Sequence, residues 1–144
     1  MVVKIKLDVE CLKHINLFQS VTKASVKDCV MDYDRVLFIV NPGQAGLAIG
    51  KGGVNIRNLQ RLIKKKIEVL EFNDDLRLFL NNIFRPVKVT DVEDVDRSDD
   101  KRVIKVSVEA DPSQISPKAF VRGKIKKARP LLKKYFDVDD VTIG

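Results

Sequence analysis

The sequence predicts an α+β protein made of two consecutive units, each running α-β-β-α-α-β around a small three-stranded sheet covered by helices. Three observations lead there. The turn Gly50-Lys51-Gly52-Gly53 joins a short apolar segment to a longer amphipathic one. Apolar runs short enough for strands alternate with helix-like periodicity along 144 residues, room for one ordinary domain or two small ones. The second half also overlays the first, Asn41-Pro42-Gly43-Gln44 falling on Asp111-Pro112-Ser113-Gln114 and Gly53 on Gly123.

Taken in order, residues 1–7 read as a short strand or tail. Asp8 is placed to cap a helix reaching about Thr22, with Cys11, Leu12, Ile15 and Phe18 on one arc. His14 falls off that arc and reads as a surface residue. Residues 26–31 and 36–40 are strand-like, joined by Asp32-Tyr33-Asp34-Arg35 as a hairpin, and Asn41-Pro42-Gly43 stops the second strand. A short helix over residues 47–49 then meets the glycine elbow. In the helix that follows, residues 54–66, Ile56, Leu59, Leu62 and Ile63 share one face while Arg57, Arg61, Lys64 and Lys65 share another. Residues 66–72 alternate as a strand does and complete the first unit, residues 1–73.

The second unit, residues 74–144, opens on a helix whose first turn suits Asp74 or Asp75, with Leu76, Phe79, Leu80 and Ile83 inward and Pro86 at its end. Residues 87–89 and 103–108 supply two strands, separated by an acidic connector over residues 91–100. That connector lacks the glycine a calcium loop needs at its sharp turn. Residues 138–143 supply the closing strand. The second elbow is Phe120-Val121-Arg122-Gly123, a degenerate loop that has lost two of three glycines, and Pro130 is expected to kink the helix after it.

Charge is distributed unevenly. Lys plus Arg number 27 against 20 for Asp plus Glu, a net +7. Residues 51–66 hold six bases and no acid, and residues 112–136 eight bases and no acid, whereas residues 73–100 hold eight acids and four bases. Positive charge gathered on the two elbows is the footprint of a nucleic-acid binder. No run of eighteen apolar residues is present and Lys4, Lys6 and Asp8 interrupt the start, so no membrane partner and a cytoplasmic location are expected. Cys11 and Cys29 lack metal-site spacing and read as buried free thiols.

Catalytic readings find no support. The phosphate loop of NTPases fails because Gly46 and Gly50 have three residues between them and Gly52 stands where the metal-binding hydroxyl belongs. The dinucleotide fingerprint fails at Asn55. With one histidine and no paired ligands, no enzyme, metal or cofactor is expected. The elbow instead suits a polyanion: side-chain-free positions admit close backbone approach, and the helix start behind it favours phosphate. The expected contacts are Ile49, Gly50, Lys51, Gly52, Gly53, Val54, Asn55, Arg57 and Arg61, with Arg122, Gly123, Lys124 and Lys127 in the second unit. Lys51 and the helix amides would meet phosphates, Arg57 and Arg61 would add charge, and bases would lie beside Ile49, Val54 and Ile56, read by the backbone or Asn55. Lys126, Arg129, Lys133 and Lys134 extend the basic set.

Two such units with a G-x-x-G elbow resemble consecutive type II KH domains, whose elbow clamps about four nucleotides. The stretch Ala48-Ile49-Gly50-Lys51-Gly52-Gly53-Val54-Asn55-Ile56-Arg57-Asn58-Leu59 is the most specific part, and the whole chain is similar to archaeal-type NusA-like transcription factors. That resemblance implies single-stranded RNA as ligand, a role in transcription elongation, termination or antitermination, and RNA polymerase or the elongation complex as a partner. KH units also occur in a ribosomal protein and a ribosome-assembly GTPase, so a ribosome-associated or ribonucleoprotein role is the alternative.

Overall fold

The computed structural model describes residues 2–95, 100–109 and 116–144, with side chains of the first helix from residue 9 onward. It divides into two compact units, Met1–Asn73 and Asp74–Gly144.

The first unit runs α1 (Val2–Thr22), β1 (Val26–Met31), β2 (Arg35–Val40), α2 (Ala45–Ile49), a 3-10 turn (Lys51–Gly53), α3 (Val54–Ile63) and β3 (Lys66–Glu71). Its sheet order is β1-β2-β3. β1 and β2 form an antiparallel hairpin with Cys29 opposite Phe38, whereas β3 lies parallel to β2 with Val69 opposite Phe38. A parallel neighbour needs a crossover rather than a hairpin. The helix-elbow-helix segment is that crossover.

The central position of β2 explains its nearly continuous apolar sequence: Val36, Phe38, Ile39 and Val40 are all fully buried. Phe18 of α1, Ala48 of α2 and Leu59 of α3 join them in one core with Ile67. Each element flanking the elbow is therefore anchored by a buried residue.

The second unit runs α4 (Leu76–Phe84), β4 (Val89–Val95), β5 (Val103–Val108), α5 (Pro117–Phe136) and β6 (Asp140–Ile143) among the described residues. Its sheet repeats the pattern, with order β4-β5-β6, an antiparallel pair and then a parallel one. Asp75 caps α4, its carboxylate accepting from Leu78 N at 3.2 Å. Phe79, Leu80, Phe84, Ile104, Val106 and Leu132 fill the core.

Several expectations need correction. Residues 2–7 are helical, not a strand or tail, so Asp8 lies inside α1 rather than capping it. Apolar alternation over so short a stretch is a weak preference, and the backbone there continues the helix that follows. Leu12 and Leu62 turn outward, 60% and 56% exposed, while Leu17 packs against the core. Cys29 is buried, but Cys11 is only half-buried. His14 is also half-buried, and burial first, then the charge of Lys65, lowers its pKa. β4 extends through the acidic stretch to Val95, because its carboxylates sit on an exposed strand. Residues 111–114, on which the overlay rested, lie outside the described residues, as do residues 96–99.

The largest correction concerns the second elbow. Residues 120–123 are not a turn but the early part of one continuous helix, α5, which also runs on through Pro130. Its start lies upstream: Ser116 accepts from Ala119 N at 3.4 Å and Pro117 occupies the first turn, where its missing N–H costs nothing. Gly123 is absent from the positive-φ glycines, so its conformation is one that any residue adopts.

Candidate nucleic-acid interface

The elbow is a chain of left-handed turns that its sequence makes possible. Gly50 has φ 78° and ψ 167°, a combination essentially confined to glycine, and Gly52 and Gly53 have φ 65° and 77°. Lys51, between them, is the one residue of the four that carries a side chain, and it is exposed with Gly52.

The turn's hydrogen bonds fix where its amides face. Gly53 N donates to Gly50 O at 3.1 Å, and Val54 N donates to Lys51 O. In a trans peptide the N–H points opposite to the preceding carbonyl. Because the carbonyls of Gly50 and Lys51 are drawn inward, the N–H groups of Lys51 and Gly52 are turned out. A helical residue followed by a left-handed one brings successive amides together into an anion-binding concavity. This concavity stands at the start of α3, whose dipole adds favourable potential for a negative group.

Around it, apolar and basic groups divide by position. Leu47, Ile49 and Val54 are 49%, 41% and 40% exposed and border the elbow. Ile56 packs against the core instead. Leu47 joins the expected Ile49 and Val54 because its neighbour Ala48 is the residue that α2 turns into the core.

Three polar side chains already have partners. Asn55 Nδ2 donates to Leu47 O at 3.0 Å, Arg57 Nη1 to Gly52 O at 2.5 Å, and Arg61 Nη2 to Asn58 Oδ1 at 2.6 Å. Asn55 and Arg57 thus both reach back toward the elbow, Asn55 to α2 and Arg57 to Gly52.

In the second unit a groove of about 330 Å³ lies between α5 and β6, lined by Arg122, Lys126 and Arg129 with Ile125, Val141 and Ile143. Arg122, Lys126 and Arg129 are spaced four and three residues apart, which puts them on one helical stripe. Of the basic residues expected in this unit, Arg122, Lys126 and Arg129 line the groove. Lys124 lies over the Phe120 ring, 4.8 Å from its centroid, and Lys127 and Gly123 are exposed outside the lining set. Arg129 Nε is paired with Asp140 Oδ1 at 3.0 Å.

Comparison with known proteins gives a consistent set of likenesses. Residues 14–100 match the KH domain family. The "Probable transcription termination protein NusA" of Halococcus morrhuae is 31% identical over 142 residues, 98% of this chain and 99% of that protein. The protein of the same name from Methanococcus vannielii is 42% identical over 89 residues, and that from Methanocaldococcus jannaschii 39%. The match spans about half the length of these last two, 51% and 49%. Among solved structures, the crystal structure of APE1850 superposes with a TM-score of 0.79 at 32% identity, covering 94% of this chain and 99% of that one.

Proposed function

Since this chain belongs to the KH domain family and to the group of probable NusA transcription termination proteins within it, we propose that it is a non-catalytic, cytoplasmic protein that binds single-stranded RNA and acts in transcription elongation, termination or antitermination. The two units, residues 1–73 and 74–144, are read as type II KH domains. The α-β-β-α-α-β order of the first, and the shared pattern of an antiparallel pair followed by a parallel third strand, support that reading.

The observation that carries the function is the outward pair of amides at Lys51 and Gly52, exposed and backed by the start of α3. An RNA phosphate meets these N–H groups and the Lys51 ammonium. The neighbouring base lies against Leu47, Ile49 and Val54. Arg61, Lys64 and Lys65 at the end of α3 and the α5 stripe supply attraction at longer range. Binding then weakens with salt, by a slope of roughly −0.7 per phosphate contact on a single strand. RNA polymerase or the elongation complex is the proposed protein partner. The name shared by the relatives supports transcription over a ribosome-associated role.

Replacing Lys51 and Gly52 together by Asp tests this. Both positions are exposed and a Cβ at Gly52 meets nothing within 4 Å, so only the left-handed φ of Gly52 opposes the change, at about 1 kcal/mol; circular dichroism stays near that of the parent and melting falls by a few degrees, while RNA binding is lost. A folded double variant that binds RNA as tightly as the parent refutes the elbow.

A further inference from the structure

Arg57 carries the charge of a phosphate contact, yet its guanidinium is engaged within the elbow. Nη1 donates to Gly52 O at 2.5 Å, and the same nitrogen lies 3.5 Å from the place a Cβ on Gly53 would occupy. The peptide between Gly52 and Gly53 is thus held at both ends: its carbonyl by Arg57, its N–H by Gly50 O. That peptide links two left-handed glycines, the residue type with the widest choice of φ and ψ. Released from Arg57, it can rotate, and rotation withdraws the Gly53 N–H from Gly50 O and frees the Gly50–Lys51 peptide, whose N–H is one of the outward pair.

We propose that Arg57 is a positioning residue: by bonding the Gly52 carbonyl it fixes the peptide whose N–H closes the turn on Gly50 O, which keeps the Gly50 carbonyl inward and the Lys51 amide, joined to it across one trans peptide, presented to the nucleic-acid backbone, and it does not itself carry a phosphate. This rests on the elbow being the RNA site. Asn55 does the matching work at the other end, tying α3 to the last turn of α2 through Leu47 O. A guanidinium suits the task because its planar fork has little freedom to lose, whereas a lysine ammonium keeps the charge without that geometry.

Charge and geometry are separable by salt. Dissociation constants of the full chain for a short unstructured single-stranded RNA are measured across a potassium chloride series for the parent, Arg57→Ala, Arg57→Lys and Lys51→Ala. Arg57→Ala weakens binding about ten-fold at every salt concentration, the scale of one well-placed charged hydrogen bond, with the parent's salt slope. Arg57→Lys is equally impaired, and the Gly53 amide exchanges faster with solvent in both variants. Lys51→Ala, by contrast, makes the slope shallower by about 0.7. The proposal is overturned if Arg57→Ala loses that same increment of slope, if Lys restores affinity, or if neither variant changes binding. A parent that binds no RNA removes the elbow reading itself, and this proposal with it.

Discussion

Asn55 Nδ2 donates to the carbonyl of Leu47 at 3.0 Å, and the same amide fills the space a side chain on Gly50 would need: a Cβ there would sit 2.8 Å from Nδ2 and 2.9 Å from Cγ. The second residue of α3 is therefore locked over the residue that ends α2. The absence of a side chain at Gly50 serves the internal joint, while at Gly52, where a Cβ would meet nothing within 4 Å, it serves the outside.

Alanine at these two glycines separates the roles. Gly50→Ala incurs both the clash and a backbone region essentially closed to other residues, a loss of about 2–3 kcal/mol. Gly52→Ala incurs only the left-handed φ, about 1 kcal/mol. Urea unfolding of the two variants ranks them in that order, yet Gly52→Ala weakens RNA binding while still folded, because its methyl stands on the approach side. Equal losses of stability would show that Asn55 does not fix the joint.

At the far end of α5, Lys133 Nζ donates to Asp137 and Asp139, each at 2.8 Å, and Asp139 also accepts from Arg102 N at 2.7 Å. The Lys133 bond, followed by that backbone bond, holds the Asp139 pKa below its ordinary 3.8, and the two carboxylates raise that of Lys133 above 10.5. A depressed acid contributes stability above its unfolded value that is lost as pH falls through the folded one. A raised base contributes stability below its unfolded value that is lost as pH rises through the folded one. The contribution of the bridge is thus full between the two ordinary values, about 3.8 and 10.5, and is lost below the first and above the second. Carboxyl-detected NMR titration places the Asp139 midpoint below 3.8 in the parent and moves it up toward 3.8 in Lys133→Ala. An unmoved midpoint removes Lys133 as the cause.

The α5–β6 groove makes a different demand. Arg122 and Lys126 face it, while Arg129 is shared with Asp140 and Lys127 lies outside. Arg122→Glu weakens RNA binding several-fold at low salt and little at high salt, whereas Lys127→Glu, the same change of charge outside the groove, has a smaller effect at either. Fluorescence anisotropy at two ionic strengths distinguishes them. Equal effects would mean that α5 acts by net charge alone.

The first elbow is legible in the sequence because its conformations are nearly glycine-only, so Gly50, Gly52 and Gly53 specify the backbone directly. Matching Gly123 to Gly53 suggested a second elbow, but a glycine does not require an unusual φ, and the start signal Ser116-Pro117 opened a helix that ran through it. Breaking that helix also hid the stripe of Arg122, Lys126 and Arg129. The task of Arg57 could not be read from composition. An arginine near a phosphate site advertises charge, and only the direction of its guanidinium, toward Gly52 O, shows another use. Long-range packing likewise decided that Leu12 and Leu62 face out while Leu17 packs inward.

The elbow's geometry depends finally on one aromatic pair. Phe18 of α1 and Phe38 of β2 stack with centroids 4.2 Å apart and planes at 28°, both fully buried, in the core that also holds Ala48 and Leu59 on either side of the elbow. Phe38→Ala opens a void at the middle of the central strand and costs about 3–5 kcal/mol, because the surrounding structure relaxes only partly. Phe38→Leu keeps most of the volume and costs less than half of that. In Phe38→Ala the first unit loosens before the second, so on warming the amide signals of Lys51 and Gly52 shift while the methyl signals of Ile104 and Val106 keep their positions. RNA affinity falls with the first set. Loss of both sets together would mean that the two units melt as one, and an unchanged elbow in a destabilised first unit would separate the aromatic pair from the site.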